Sequence, residues 1–94
     1  MTKSPEVVSF LQKHRQATLA VSTNDEPFTA MVGYVWDHAH TCVLIHLSNL
    51  APHKRQLLAN PKCSLLVAEP DDVRAEVMSL ARVTLQATAS MIDK

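Results

Sequence analysis

Two cationic side chains occupy the predicted first turn of a helix. The run from Ser48 to Arg55 reads SNLAPHKR, and Pro52 suits the first helical position, so Lys54 and Arg55 follow it closely. Cations there oppose the helix dipole by roughly 0.3–1 kcal/mol each. The free backbone N–H groups at the same place need acceptors. A bound anion would satisfy both, with the Ser48 hydroxyl as a further donor; the alternative is that Lys54 and Arg55 extend into solvent.

A second candidate lies in the apolar run 30–35, which contains the one glycine of the chain, Gly33. Glycine inside a strand often marks close approach of a ligand or of another backbone. The backbone of Met31, Val32, Gly33 and Tyr34 is therefore a candidate surface for a flat ring. Relief of packing, or a bulge against another subunit, is an equal alternative.

The five histidines raise the question of a metal or haem site. His38 and His40 are two residues apart at a predicted hairpin tip, but no third ligand is evident, so a solvated turn is favoured. His46 lies on a predicted strand among apolar neighbours, where a hydrogen-bonded structural histidine is favoured over a ligand. The sequence also contains no GxSxG, HExxH or CxxC motif and no glycine-rich phosphate loop. We therefore predict no metal site.

The spacing of apolar residues predicts two helices and five or six strands that position these candidates. A helix begins after Ser4, and a second runs from Pro52 to Asn60. The predicted strands are 17–22, 28–36, 41–48, 62–69 and 80–91, and 73–79 is a short helix or an ordered loop. Strand 28–36 is apolar on both faces, so we expect it to be covered on both sides. Short links between the first strands indicate antiparallel pairing, and closure into a small barrel avoids exposed edges.

Length and charge limit the class of protein. The 94 residues fit a single domain over 1–94, and 9 Lys and Arg balance 9 Asp and Glu. Zero net charge removes the simplest case for a nucleic-acid binder and favours self-association. Because no signal peptide and no membrane-spanning run is present, we expect a cytoplasmic protein without a nucleic-acid or membrane partner. Its two cysteines, Cys42 and Cys63, are then reduced thiols.

Several segments together carry a family resemblance. They are ATLAV (17–21), EPF (26–28), MVGYV (31–35), the long run 47–70 and LARVTL (80–85). The run 47–70 combines a serine-containing strand end, a histidine-containing helix start and an Asn-Pro-x-x-Ser-Leu-Leu strand. In this order the segments resemble the pyridoxamine 5′-phosphate oxidase-like, FMN-binding split-barrel family, and 47–70 is similar to its haem-utilisation branch.

The resemblance implies a mainly β fold with minor α. The barrel would be a six-stranded antiparallel Greek-key split barrel with an N-terminal helix and one internal helix. It also implies a homodimer that holds flavin mononucleotide (FMN) between subunits. The implied cofactor-binding residues form one group at the isoalloxazine ring and one at the phosphate: Met31, Val32, Gly33 and Tyr34, and Ser48, His53, Lys54 and Arg55. The phosphate group coincides with the anion site inferred from charge.

The sequence also departs from the family pattern. In the oxidase pattern that this sequence resembles, an Arg and a Lys that touch the flavin occupy the positions of Ala30 and Val35. The same pattern has an Arg-Lys pair at the position of Pro52-His53. Neither the oxidases' substrate-binding segment nor the haem-handling relatives' second domain follows in this sequence, so pyridoxamine-phosphate oxidase activity is not expected. We interpret the chain as a dimeric FMN-binding protein with a flavin-dependent oxidoreductase activity on an unknown substrate. The alternative is a non-catalytic split barrel that binds a partner or another ligand, haem included, through His46 or His53. A third interpretation is a degenerate single-domain relative that binds no ligand.

Overall fold

The computed structural model describes residues 4–48 and 50–92, and within them it contains two α-helices, one 3₁₀ helix and five β-strands. In chain order they are α1 (Pro5–Lys13), β1 (Gln16–Thr23), β2 (Glu26–Asp37), β3 (Cys42–Ile45), α2 (Pro52–Ala59), β4 (Lys62–Ala68), the 3₁₀ helix (Val77–Ser79) and β5 (Arg82–Thr88). The Ser4 hydroxyl caps α1 by accepting the N–H of Val7 at 3.2 Å. The mainly β architecture with an N-terminal and an internal helix is thereby confirmed.

The strands form one antiparallel sheet in the order β3-β2-β1-β4-β5. Tight turns join the first three strands, and the fourth returns by a longer connection to lie beside the first, which is a Greek key. Asn24 and Asp25 make the β1–β2 turn with φ angles of 51° and 62°, values that these two residue types tolerate better than most. The sheet curls into a half-barrel that is consistent with a split barrel.

The number of strands and the ends of two of them differ from the sequence prediction, while the other strand bounds shift by at most two residues. Five strands, not six, occur within 4–48 and 50–92. The third strand ends at Ile45 rather than Ser48 because β4 lies beside β1, so the chain must leave the sheet and cross to its other side through α2. β5 ends at Thr88 rather than Met91 because Thr88 already pairs with Lys62, the first residue of β4. The ambiguous segment 73–79 is an ordered loop that ends in the 3₁₀ helix.

The core lies between one face of the sheet and the two helices. Its buried residues come from α1, β1, β2 and β4: Leu11, Ala17, Leu19, Val21, Val32, Tyr34, Leu65 and Val67. Leu57 of α2 packs against this cluster, and α2 lies on β1 and β2. Fully burying a leucine or valine side chain, as at Leu19 and Val67, contributes roughly 1.5–3 kcal/mol to the stability of the fold. The alternation of apolar and polar residues along β1 thus determines which face carries the helices.

The opposite face of the sheet, here called the outer face, is open. On β2 it carries Met31, Gly33 and Val35, and the two larger side chains are 71% and 65% exposed. A single chain covers this strand on its core face alone, because both helices pack there. Neither helix in the described part of the chain is long and apolar enough to cross a bilayer.

Candidate functional site

The start of α2 lies where the sequence predicted it and lacks a side-chain cap. Pro52 is the first helical residue, and the residue before it, Ala51, offers no side chain that could accept a backbone N–H. No acidic residue lies in the first turn. Pro52 has no N–H, and the Lys54 N–H donates to the Ala51 carbonyl at 3.1 Å, so the His53 N–H is the first-turn donor without a cap. This donor and the positive dipole end favour an anion at the helix start.

Ser48 shapes the turn that leads into this helix. Its hydroxyl oxygen accepts the N–H of Leu50 at 3.1 Å, and its carbonyl accepts the N–H of Ala51 at 3.0 Å. A serine hydroxyl that accepts one hydrogen bond still has its own O–H to donate. Ser48 is exposed, so that donor faces no competing partner inside the core.

His53 is held against the sheet by an aromatic contact. Its ring stacks on Phe28 of β2, with ring centroids 6.2 Å apart and planes inclined by 17°. The Nδ1 atom of His53 and the Oε1 atom of Gln56, one turn further along α2, are both buried and have no hydrogen-bond partner. Buried polar atoms of this kind normally have partners, and leaving one unpaired costs about 1–3 kcal/mol. The start of α2 therefore carries unmet hydrogen-bonding capacity as well as positive charge.

The positive charge of this helix start is not cancelled by ion pairs at His53 or Arg55. Within the described residues, the ion pairs join Asp37 to His40 and Asp72 to Arg74, both at 2.7 Å. Arg55 is exposed and Lys54 is half-buried. The exposed guanidinium of Arg55 therefore leaves a positive charge at the helix start, as an anion site requires.

The second group of predicted site residues divides between the two faces of β2. Met31 and Gly33 lie on the outer face, whereas Val32 and Tyr34 are buried in the core. The Tyr34 hydroxyl donates a 2.6 Å hydrogen bond to the carbonyl of Leu11, which ties α1 to the sheet. Since α2 packs on the core face, a single chain does not bring Met31 and Gly33 together with the helix start. A ligand on the outer face of β2 meets Met31 and Gly33, not the Tyr34 ring.

Nothing inside this chain requires a glycine at position 33. A Cβ added to Gly33 would meet the backbone oxygen of Arg15 at 3.7 Å, an ordinary van der Waals contact, and its φ is not positive. Packing among the described residues therefore does not explain the choice of glycine at this position.

The remaining histidines and cysteines form no metal site within residues 4–48 and 50–92. The Asp37 carboxylate accepts a hydrogen bond from the Nδ1 atom of His40 at 2.7 Å, and this hydrogen bond lowers the pKa of the Asp37 carboxyl. His46 is exposed and lies beyond β3, so the prediction that it sits on a strand is wrong. Cys42 and Cys63 are free thiols, and burial raises the pKa of Cys63.

Phe28 and Gln56 were not predicted from sequence as part of the site. Gln56 follows His53 by three residues, so helical periodicity already places the two side chains on one face. Phe28 had no comparable signal, because its contact with His53 joins residues from β2 and α2 that are distant in sequence.

The Greek-key half-barrel is consistent with a split barrel, and comparison with known proteins agrees with this fold class. The family model described as Pyridoxamine 5′-phosphate oxidase matches residues 4–94. The chain belongs to this family.

Two relatives with assigned functions and one crystal structure define the position of the chain within the family more narrowly. The heme oxygenase HutZ of Vibrio cholerae is 30% identical over 91 residues, which are 96% of this chain and 51% of that protein. The non-canonical chloroplastic heme oxygenase HOZ of Arabidopsis thaliana is 37% identical over 68 residues, 72% of this chain and 20% of that protein. The crystal structure of V. cholerae HutZ, a protein also named a heme storage protein, superimposes on this chain with a TM-score of 0.80 at 26% sequence identity. The superposition covers 100% of this chain and 66% of the HutZ chain. The chain is thus close to the haem-utilisation branch and spans about half the length, or less, of these curated relatives.

Proposed function

We propose that this chain is a haem-binding split-barrel domain whose α2 start receives the haem propionates. The observation that carries the proposal is that helix start, which combines the positive dipole end without a side-chain cap, the exposed Arg55 and the stacked His53. Two carboxylates on a flat ring supply the negative charge that the site lacks. Relatives named as heme oxygenases support haem over other flat anions.

The residues present fit such a ligand in charge and in donor type. Ser48 offers a hydroxyl, Arg55 a guanidinium, and His53 an imidazole, which is a common haem-iron ligand. The buried Nδ1 of His53 limits which nitrogen is accessible and makes Nε2 the atom to test for ligation. Bound haem would supply redox chemistry, while these side chains would bind the ring and orient it.

FMN remains the second candidate, because the family as a whole and Gly33 both favour a flat phosphate-bearing ring. Gly33 leaves the outer face of β2 open to a planar group, and the α2 start suits a phosphate as well as a propionate. Ala30 and Val35 weaken the case for FMN, because they supply no charge at the positions where the oxidase pattern has Arg and Lys. A flavin-dependent oxidoreductase activity would follow only from FMN binding.

We also propose that the chain forms a homodimer through the outer face of β2. The exposed Met31 and Val35 flank Gly33 there, and a second copy would cover them. Such a dimer would place a second copy of the chain against Met31 and Gly33, which in a single chain face solvent.

Titration with haem, followed by absorbance, tests the main proposal. We expect a Soret band that saturates near one haem per chain, and no comparable change in the fluorescence of added FMN. Replacing Lys54 and Arg55 together by Glu should weaken haem binding by about tenfold or more, because two favourable charges become unfavourable.

The matched control reverses two cations elsewhere. Lys13→Glu with Arg15→Glu changes net charge equally, and both side chains are exposed at the end of α1. This variant should retain haem affinity. Equal weakening of haem binding by both double variants would contradict a specific site at α2. Loss of the Soret shift in His46→Ala but not in His53→Ala would identify His46, not His53, as the residue that ligates the haem iron. FMN binding without haem binding would establish the second candidate instead.

A further inference from the structure

The outer face carries a cleft that none of the proposed haem contacts uses. It lies across β1, β4 and β5, has a volume of about 680 Å³, and is open to solvent. Its lining includes Ser22, Lys62, Ser64, Gln86 and Thr88, and it includes none of the residues predicted to bind FMN or haem. A volume of this order lies in the range of small-molecule sites.

Strand register explains why the surface is hollow at this point. Ala20 pairs with Ser64, so two small side chains lie side by side on the outer face. Ser64 in turn pairs with Gln86, and Lys62 pairs with Thr88, so longer side chains border the small ones. The depression is thus a consequence of side-chain size along three paired strands.

The backbone beneath the cleft is held by hydrogen bonds from the loop between α2 and β4. The Asn60 side chain donates to the carbonyl of Ser22 at 2.8 Å and accepts the N–H of Lys62 at 3.2 Å. Ala89, next to Thr88, donates its N–H to the carbonyl of Pro61 at 2.8 Å. The strands that carry Ser22, Lys62 and Thr88 are therefore fixed relative to one another, which reduces the ordering cost of binding.

The polar groups that line the cleft share one chemical preference. In the part of the chain that the structure describes, the side chains of Ser22, Ser64, Gln86 and Thr88 make no hydrogen bond to the protein, and Lys62 makes no ion pair. Each of the five can donate to an oxygen acceptor, and no carboxylate is among the lining residues. The polar part of the cleft therefore carries one positive charge and four further groups that can donate.

We propose that this cleft is a second binding site, for a small organic or inorganic anion with several acceptor oxygens, such as a carboxylate or a phosphate. Lys62 supplies the charge, and the hydroxyls and the amide supply direction. The site is independent of the α2 start, since it lies on the outer face and the helix packs on the core face.

Amide NMR of the whole chain tests the proposal, with inorganic phosphate and citrate as separate probes. We expect saturable shift changes centred on Ser22, Lys62, Ser64, Gln86 and Thr88. Stronger binding of citrate would identify carboxylates as the favoured ligands, and stronger binding of phosphate would identify phosphates. Absence of saturable changes at these amides with both probes would overturn the proposal.

Three variants separate this site from the helix start. Lys62→Ala should weaken binding by about tenfold, and Lys62→Arg, which keeps the charge, should restore most of it. Arg55→Glu should remove any shifts at α2 and leave those in the cleft. Unchanged affinity in Lys62→Ala would contradict the proposal. Because Lys62→Ala should retain the Soret band, loss of this site and loss of haem binding remain distinguishable.

Discussion

Tyr34 shows at the scale of a residue how a predicted ligand contact became a structural one. The sequence placed it beside a flat ring, but the structure buries it to 4% exposure and directs its hydroxyl to the carbonyl of Leu11. Burial also raises the pKa of Tyr34. Its neighbours Met31 and Gly33 remain available on the outer face, so the alternation of a strand decides which residues of one motif can meet a ligand.

Replacing Tyr34 by Phe should lower the free energy of unfolding by about 1–3 kcal/mol, because the buried Leu11 carbonyl loses its donor. Urea unfolding measures this, and the slope with denaturant should stay constant. Ser79→Ala is the matched control, since the Ser79 hydroxyl also donates to a backbone carbonyl, that of Glu76 at 2.7 Å, but on the surface. Equal destabilisation by both variants would contradict a special role for burial.

The same residue gives a pH dependence of known sign. Because the folded-state pKa of Tyr34 is raised, its contribution to stability is complete below the unfolded value of 10.0 and is lost as pH rises through the folded pKa. Tyr34 is the only tyrosine, so tyrosinate absorbance reports this group alone. Stability should fall more steeply above that pH in the native chain than in Tyr34→Phe. Parallel curves would show that the phenol does not carry the effect.

At the scale of elements, α2 and the residues after it decide how the sheet closes. The helix carries the chain from β3 across β2 and β1 to β4, and its end is joined to the sheet by Asn60. The sequence predicted the helix bounds through Pro52 and Pro61, which act locally. It did not predict the end of β3 at Ile45, because that depends on which strand β4 pairs with.

Replacing Asn60 by Ala should destabilise the fold by about 1–3 kcal/mol, because the Ser22 carbonyl and the Lys62 N–H both lose their partner. Asn60→Asp is the informative comparison, since it keeps the acceptor for Lys62 but sets a carboxylate oxygen against the Ser22 carbonyl. We therefore expect a loss at least as large for Asp as for Ala in thermal or urea unfolding at neutral pH. A smaller loss in Asp than in Ala would assign most of the effect to the bond with Lys62.

At the scale of the whole molecule, the outer face is the surface on which the homodimer proposal depends. Its apolar part lies on β2, around Gly33, and its polar part forms the cleft near Lys62. The zero net charge of the chain adds no long-range repulsion between copies. The exposed apolar part of the outer face and the zero net charge both favour the homodimer proposed above.

Sedimentation of the native chain should therefore show a dimer, and Met31→Glu should convert it to a folded monomer, because a carboxylate at the proposed interface loses solvent without gaining a partner. Thr84→Glu, on the outer face of β5, is the matched control and should stay dimeric. Gly33→Ala should fold normally, since its Cβ has room. A native chain that sediments as a monomer would contradict the interface.

The sequence by itself determined the helix starts at Ser4 and Pro52, the alternation of the strands and the cations at α2, because each depends on neighbours within one turn or one strand. The family resemblance added the Greek key, which the structure confirms. Only tertiary structure decided that Tyr34 bonds Leu11, that His53 stacks on Phe28, and that the outer face of β2 stays open. These features require contacts between residues far apart in the chain, which local pattern does not specify.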